Sequence, residues 1–189
     1  MDTMTNVKTT SDKTKTMVII GVMAAVTCIL GPLSLAIPVS PVPISLTNLA
    51  VYFAVYVLGM KKGTISYLIY LLIGLIGLPV FSAFTGGPAK LFGPTGGYLI
   101  GFAFMAAICG FFLEKWEGKL YMHFIGMVLG TAVCYLFGTL WLAYQAHMGF
   151  AAALGAGVIP FIPGDLAKII IAMIAGPVIR KQLKRAGLN

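Results

Sequence analysis

Charged side chains are scarce in this chain of 189 residues: they make up 10% of it, whereas hydrophobic residues make up 59%. In a soluble globular domain about a quarter of the residues are charged. This shortage therefore excludes an ordinary soluble protein and predicts an integral membrane protein, with the lipid bilayer as its surroundings. Nothing in the composition indicates a second domain.

The sequence also lacks the motifs of most enzymes and metal sites. Its three cysteines, Cys28, Cys109 and Cys134, lie in apolar runs without C-x-x-C spacing, a pattern typical of small buried side chains rather than of disulfides or metal ligands. The patterns G-x-x-x-x-G-K-[ST], H-E-x-x-H and G-x-S-x-G do not occur, so we expect no ATP site, no metal or cofactor site and no catalytic residues.

Nucleic acid is also not an expected partner. The formal charge is +8, but the basic residues do not form a stripe with interleaved aromatics. They are spread over the connections between apolar runs, which is typical of a charge that sets membrane topology.

Six apolar runs are present, and they predict an all-α bundle of six transmembrane helices. Residues 17–189 are expected to form this single membrane domain, and the polar residues 1–16 a mobile cytoplasmic tail. Three runs have about 15 residues, fewer than the roughly 20 that cross a bilayer unaided. The runs are residues 17–37, 45–59, 64–78, 95–113, 121–144 and 165–179.

Lysine and arginine set the predicted orientation. Eleven of the 13 basic residues fall in the tail, in alternate connections and in the carboxyl-terminal segment, which predicts that both termini are cytoplasmic. Only Lys90 and Lys168 lie on the outward side. Lys90 belongs to the Gly- and Pro-rich loop 79–94, a candidate extracellular lid; a solvated loop lysine is the alternative interpretation.

An acid and a base lie together at the start of the sixth run. Asp165 and Lys168 are three residues apart, so on a helix they share a face, and Pro163-Gly164 predicts a turn that makes Asp165 a candidate cap. Ionisable groups in a membrane usually mark a pathway or a ligand site. An ion pair that only locks the helix is the alternative.

Further polar and small residues are candidates for binding. Asn48, in the second run, is either interhelical glue or a ligand contact, and its neighbour Thr47 is a weaker candidate. Tyr98 is a belt residue or a pocket wall, and Thr95 is predicted to cap the fourth helix. Small residues on the first helix would let another helix approach closely: Gly21-x-x-x-Ala25 and Ala24-x-x-x-Cys28.

Four motifs together resemble the BioY family, the biotin-specific substrate-binding S components of energy-coupling factor (ECF) transporters. Such a relationship implies capture of biotin from outside a prokaryotic cell membrane, no catalysis by the chain itself, and partnership with a transmembrane coupling protein and two ATPase subunits. It also implies a contact with the coupling protein through an A-x-x-x-A face, whose nearest match is Ala24-x-x-x-Cys28. The motifs are residues 41–46 (PVPISL), 75–81 (LIGLPVF), 93–102 (GPTGGYLIGF) and 163–168 (PGDLAK).

Biotin suits the chemistry of the candidate residues, and we hypothesise a role for each. Asp165 is expected to accept the ureido N–H groups of biotin, and Lys168 to donate to its carbonyl and to hold Asp165 ionised. The family often has Gln at the position of Thr47, so either Thr47 or Asn48 makes the additional contact. Lys90 is expected to meet the valerate. Three aromatic rings are expected to cover the bicyclic ring: Phe84, Phe92 and Tyr98.

Two other functions remain alternatives at this point. One is a small integral membrane enzyme that uses Asp165 as a general acid or base, which requires a second catalytic group within reach. The other is an assembly subunit that binds no ligand and uses only the small-residue face of the first helix.

Overall fold

The computed structural model describes residues 2–38 and 40–186, with the backbone alone for residues 2–12. Helices dominate this part of the chain, and five helical segments are long and apolar enough to span a membrane. The predicted all-α membrane protein is therefore confirmed. The helices are α1 (Asp2–Leu30), α2 (Thr47–Leu75), α3 (Pro88–Leu91), α4 (Gly96–Lys115), α5 (Leu120–Gln145), α6 (Phe150–Gly157) and α7 (Ile162–Arg185).

Helix α2 contains two of the six predicted spans. At Gly59 the backbone leaves helical geometry, with φ 76° and ψ −172°, and the chain folds back. A Cβ added to Gly63 would lie 3.1 Å from the Cα of Val55, whereas residues eight apart in a straight helix are roughly 12 Å apart along its axis. Residues 47–58 and 60–75 are thus neighbouring spans, and the backbone N–H of Met60 donates to Glu114 Oε1 at the turn (2.7 Å).

Two helix boundaries differ from the predicted ones. Helix α1 begins at Asp2, whereas we expected a tail up to residue 16; the cytoplasmic location of that segment stays a prediction, and residue 1 lies outside the described residues. Helix α7 begins at Ile162, three residues before the predicted start, because a proline in the first turn costs no hydrogen bond. It continues through Pro177 to Arg185.

Connections between the spans carry short regular structure. A two-stranded antiparallel ribbon pairs β1 (Ser34–Leu35) with β2 (Ile44–Ser45), in the register Ser34 to Ser45 and Leu35 to Ile44. The predicted loop 79–94 contains a 3₁₀ turn at Ser82–Phe84 and the single-turn helix α3. The short helix α6 packs against the rest of the bundle through Ala153 and Gly157, which are buried.

The core lies where α4 packs against α5 and α2. Tyrosines Tyr52, Tyr56, Tyr67 and Tyr70 of α2 are almost fully buried, and each hydroxyl has a hydrogen-bond partner in another segment of the chain. Pairing removes the cost of burying these polar groups. The tyrosines therefore fix how α2 is oriented toward its neighbours.

Candidate functional site

A cavity of about 60 Å³ lies among α2, α4, α5 and α7, next to strand β2. Two helix amino-terminal turns meet there, since Asn48 is the second residue of α2 and Asp165 lies in the first turn of α7. The positive ends of two helix dipoles thus lie beside a carboxylate. The lining residues are Val42, Pro43, Ser45, Thr47, Asn48, Ser82, Thr95, Tyr98, Leu99, Phe102, Met105, Thr131, Cys134, Tyr135, Phe161, Asp165 and Lys168.

Asp165 is the centre of the polar end of the cavity and is only 7% exposed. Its Oδ1 accepts hydrogen bonds from Asn48 Nδ2 (2.8 Å) and from Lys168 Nζ (3.0 Å). Its Oδ2 accepts one from the hydroxyl of Tyr135 (2.6 Å). A buried carboxylate is tolerated when it is paired and hydrogen-bonded, and here the three donors come from α2, α5 and α7.

Asp165 does not act as the cap that the sequence suggested. Helix α7 begins three residues earlier, and the carboxylate bonds to side chains of the cavity instead of backbone N–H groups. The prediction of a capping role was wrong because Pro163 was interpreted as part of a turn before the helix. The predicted proximity of Asp165 to Lys168 is confirmed.

Lys168 connects the cluster to the β-ribbon. Its Nζ donates to the backbone carbonyl of Ser45 (2.7 Å) and to Asp165 Oδ1. An ammonium has three N–H donors, so one remains for a ligand. Asp165 accepts three hydrogen bonds, and a carboxylate has about four acceptor sites, so one acceptor site also remains. The cluster therefore offers one donor and one acceptor side by side.

The remaining walls of the cavity are mostly apolar. Phe102, Phe161 and Val42 line it together with the ring of Tyr98, whose hydroxyl is occupied by a hydrogen bond to the carbonyl of Gly157 (2.8 Å). The cavity thus has hydrogen-bonding groups at one end and mostly apolar walls elsewhere. Such a combination is typical of a site for a small molecule that is polar at one end.

Five of the predicted ligand contacts come together in this cavity. Asp165, Lys168, Asn48, Thr47 and Tyr98 all line it. The predicted cap at Thr95 is wrong: Thr95 precedes α4, but its hydroxyl makes no capping bond and has no partner among the described residues.

Three predicted contacts lie elsewhere. Phe84 and Phe92 are 66% and 63% exposed, and half-buried Lys90 belongs to α3; none of the three lines the cavity. Their proximity to a ligand stays a prediction. Ser82, in the same loop, does line the cavity.

Sequence reasoning missed Tyr135 and Ser45, both of which bond to the charged pair. Tyr135 lies inside a long apolar run, where a tyrosine gives no motif and is usually a packing residue. Ser45 belongs to the Pro-rich segment 41–46, but its backbone carbonyl makes the contact. Every residue has such a carbonyl, so no side-chain pattern could have indicated it.

The small residues of α1 do not share one environment. Gly21 and Ala25 are exposed, and a Cβ on Gly21 would meet no atom within 4 Å. Ala24 is 2% exposed, and half-buried Cys28 packs against the core. A contact with another subunit through these four residues stays a prediction.

Comparison with known proteins places the chain among membrane transport proteins. The BioY family model matches residues 3–185. The "Biotin transporter BioY2" of Lactococcus lactis subsp. cremoris is 37% identical over 164 residues, which cover 87% of this chain and 89% of that protein. The "Biotin transporter BioY" of Thermotoga maritima is 39% identical over 140 residues, covering 74% and 82%. A crystal structure of the S-component for biotin from an ECF-type ABC transporter superposes with TM-score 0.84 at 36% identity and covers 90% of this chain and 93% of that one.

Proposed function

The chain belongs to the BioY family, and we propose that it is the biotin-binding S component of an ECF transporter. It is a multi-pass membrane protein that captures biotin for uptake by a partner module. The observation that carries this proposal is the cluster around Asp165, which leaves one acceptor and one donor free beside an apolar cavity.

The ureido group of biotin fits those free positions. It has two N–H donors and one carbonyl acceptor on one rigid ring. We propose that Asp165 accepts one N–H and that the third N–H of Lys168 donates to the carbonyl. We propose that Asn48, which also lines the cavity, accepts the second N–H. Its side-chain oxygen accepts the backbone N–H of Leu49 (3.1 Å) and has a second lone pair. Hydrogen bonds to charged groups are the stronger class.

The apolar walls fit the rest of the bicyclic ring. The fused thioether ring has no polar group other than its sulfur, so it gains from leaving water for the surface of Phe102, Phe161 and Tyr98. The valerate carboxylate, in contrast, needs water or a cation. Loop 79–94 borders the cavity through Ser82, and we propose that it forms a lid whose Lys90 meets the valerate.

Lys90 is a partly buried cation, and a carboxylate is a suitable partner for it. Its partial burial lowers the pKa of the Lys90 ammonium from its ordinary value, because burial disfavours the charged form. A carboxylate beside it would favour that form again. Binding of the valerate would therefore stabilise both charges at the mouth of the cavity.

Energy for transport comes from other subunits in this proposal. The partners are a transmembrane coupling protein and two ATPase subunits, and the chain itself binds its ligand without transforming it. Small residues exposed on α1, Gly21 and Ala25, are the proposed start of the contact with the coupling protein, where small side chains allow close helix approach.

Two biotin analogues test the proposed hydrogen bonds directly. In 2-iminobiotin the ureido carbonyl is replaced by an imine, which is protonated near neutral pH and meets Lys168 as a like charge. Desthiobiotin keeps the ureido group but lacks the sulfur and, with it, the closed thioether ring. Calorimetry on the purified chain should show a loss of 100-fold or more for 2-iminobiotin and a much smaller loss for desthiobiotin, on the scale of unpaired buried groups. Equal losses would contradict the proposed orientation.

Mass spectrometry of the purified chain separates the proposal from the two alternatives. Unaltered biotin that co-purifies supports an S component. Biotin that returns from incubation chemically changed indicates a membrane enzyme, and a chain that never binds biotin is an assembly subunit.

A further inference from the structure

A second concave surface lies at the other end of the bundle. It is formed by the connection between α4 and α5, the first turn of α5 and the last turns of α7. Arg180 follows Asp165 on α7 by about four turns, roughly 22 Å along the axis, so this groove is separate from the biotin cavity. The hydrocarbon core of a bilayer is about 30 Å thick, which brings the groove to the opposite headgroup region.

The groove carries an excess of positive charge. Four basic side chains line it: Arg180, Lys181, Lys184 and Arg185. Glu117 is the single acidic residue among its lining residues, and its Oε1 already accepts from Arg180 Nη2 (3.1 Å) and from Lys184 Nζ (2.6 Å). The hydrogen bond from Lys184 and the charge of Arg180 hold the pKa of Glu117 below its ordinary value, so this carboxylate is ionised and already paired with two of the four cations.

Two cations of the groove are left without an acidic partner. Among the residues that the structure describes, neither Lys181 nor Arg185 forms a salt bridge. Repulsion among four neighbouring cations is offset by one carboxylate only. An anion with several acceptor oxygens would relieve this imbalance.

An apolar strip leads away from the groove toward the membrane interior. Leu120 lines the groove and is 50% exposed. Phe124 and Val128 follow it at intervals of four residues on the same face of α5, and each is 38% exposed. A molecule that combines an anionic head with a hydrocarbon chain matches this sequence of surfaces, and a soluble anion matches only the first part.

We propose that this groove binds an anionic phospholipid, with its phosphate between Lys181 and Arg185 and an acyl chain along Leu120, Phe124 and Val128. Basic pockets between membrane helices at a headgroup region are suited to such lipids. The site goes beyond biotin capture, since it assigns the far end of the bundle a specific lipid contact.

Lipid titration of the delipidated, detergent-solubilised chain tests this site. Native mass spectrometry with dioleoyl-phosphatidylglycerol should show one saturable bound lipid, and dioleoyl-phosphatidylcholine should bind at least tenfold more weakly. The double variant Lys181→Ala/Arg185→Ala should lose about tenfold or more in phosphatidylglycerol affinity, since each cation near a membrane surface contributes on the order of 1 kcal/mol. The matched control is Lys61→Ala/Lys62→Ala, which removes the same charge outside the groove and should bind like the unmodified chain.

A gain-of-binding variant makes the test independent of lost stability. Glu117→Gln removes the competing carboxylate and frees Arg180 and Lys184 for the phosphate, so it should bind phosphatidylglycerol several-fold more tightly. A variant that fails to fold loses affinity, so an increase in affinity cannot result from misfolding.

Three results would overturn the proposal. Equal losses in the two double variants would indicate a general surface-charge effect. Inorganic phosphate that displaces the lipid at millimolar concentration would indicate an anion site without a lipid requirement. If the Lys181→Ala/Arg185→Ala variant binds lipid normally but no longer assembles with the coupling and ATPase subunits, the groove is a protein-docking surface.

Discussion

Asp165 is held by three side chains that arrive from different parts of the sequence. Asn48, Tyr135 and Lys168 belong to α2, α5 and α7, and each donates to one of its two oxygens. Removal of one partner from a buried, hydrogen-bonded charge is costly because the other groups are left unsatisfied. Substitutions at this cluster should therefore have effects out of proportion to their size.

The substitution Asp165→Asn tests the central residue. It keeps the shape of the side chain but replaces the anion with a neutral amide, so Lys168 loses its counter-ion and the ureido N–H loses a charged acceptor. Biotin affinity should fall by on the order of 100-fold or more, consistent with about 1.5–3 kcal/mol for each hydrogen bond to a charged group. Calorimetry measures this, with circular dichroism and gel filtration to verify folding. An unchanged affinity would remove Asp165 from the site.

The substitution Tyr135→Phe tests the residue that the sequence did not reveal. It deletes the hydroxyl that donates to Asp165 Oδ2 (2.6 Å) and leaves the ring in place. Biotin affinity should fall about tenfold, in line with roughly 1.5 kcal/mol, the lower end for one hydrogen bond to a charged group. The same substitution at Tyr144, which is 76% exposed, is the matched control and should leave affinity unchanged.

At the residue scale, the sequence predicted the acid and the base but not their surroundings. Asp165 and Lys168 stand out because charges are rare in apolar runs and because their spacing alone puts them on one face of a helix. Tyr135 lies 30 residues away, and its contact depends on how α5 packs beside α7. A partner that is fixed only by tertiary packing leaves no local pattern.

Among the elements, α2 depends most on a single residue. The turn at Gly59 has φ 76° and ψ −172°, a conformation that is essentially restricted to glycine. A side chain there would also contact the Glu114 carboxylate, which accepts the N–H of Met60. A side chain at position 59 would therefore strain the backbone and also displace the Glu114 carboxylate from its hydrogen bond to Met60.

The substitution Gly59→Ala should consequently destabilise the protein. We expect a loss of about 1–3 kcal/mol, the usual cost of a residue held in a disfavoured backbone region, and a lower melting temperature in detergent. Gly21→Ala is the control, because a Cβ there meets nothing within 4 Å. A Gly59→Ala protein that melts at the same temperature as the Gly21→Ala protein would contradict this account of the turn.

Helix boundaries show what hydropathy leaves undetermined. The spans 45–59 and 64–78 were predicted as short separate runs, and the structure joins them through the turn at Gly59. The start of α1 could not be predicted, because residues 2–16 are polar and carry no apolar periodicity to distinguish a helix from a tail. The two-residue strands β1 and β2 flank a Pro-rich segment, where the sequence indicated only an end of helical structure.

At the scale of the whole molecule, the predicted order of six spans matches the structure, since long apolar runs are a strong signal. Closure of the cavity was not predictable in the same way. It depends on β2, which supplies the Ser45 carbonyl, and on loop 79–94, which supplies Ser82. Both are irregular, short-range features whose position follows from the packing of the helices around them.

The lid proposed for loop 79–94 can be tested by spin labelling. A label at Ala89, which is exposed, should lose mobility when biotin is added, because the ordered loop then closes over an occupied cavity. A label at exposed Lys119, in the connection between α4 and α5, is the control and should be unaffected. Identical spectra with and without biotin at Ala89 would count against a lid.

The three hydrogen bonds to Asp165 have a consequence for the release of the ligand. A transport protein must release its ligand as well as bind it. A carboxylate left without partners in an apolar interior after release would make ligand dissociation costly. Asn48, Tyr135 and Lys168 donate hydrogen bonds to this carboxylate in the absence of ligand, so Asp165 remains paired in the empty site. The rate of dissociation is then set mainly by the hydrogen bonds to biotin itself. Breaking them does not also require Asp165 to be solvated.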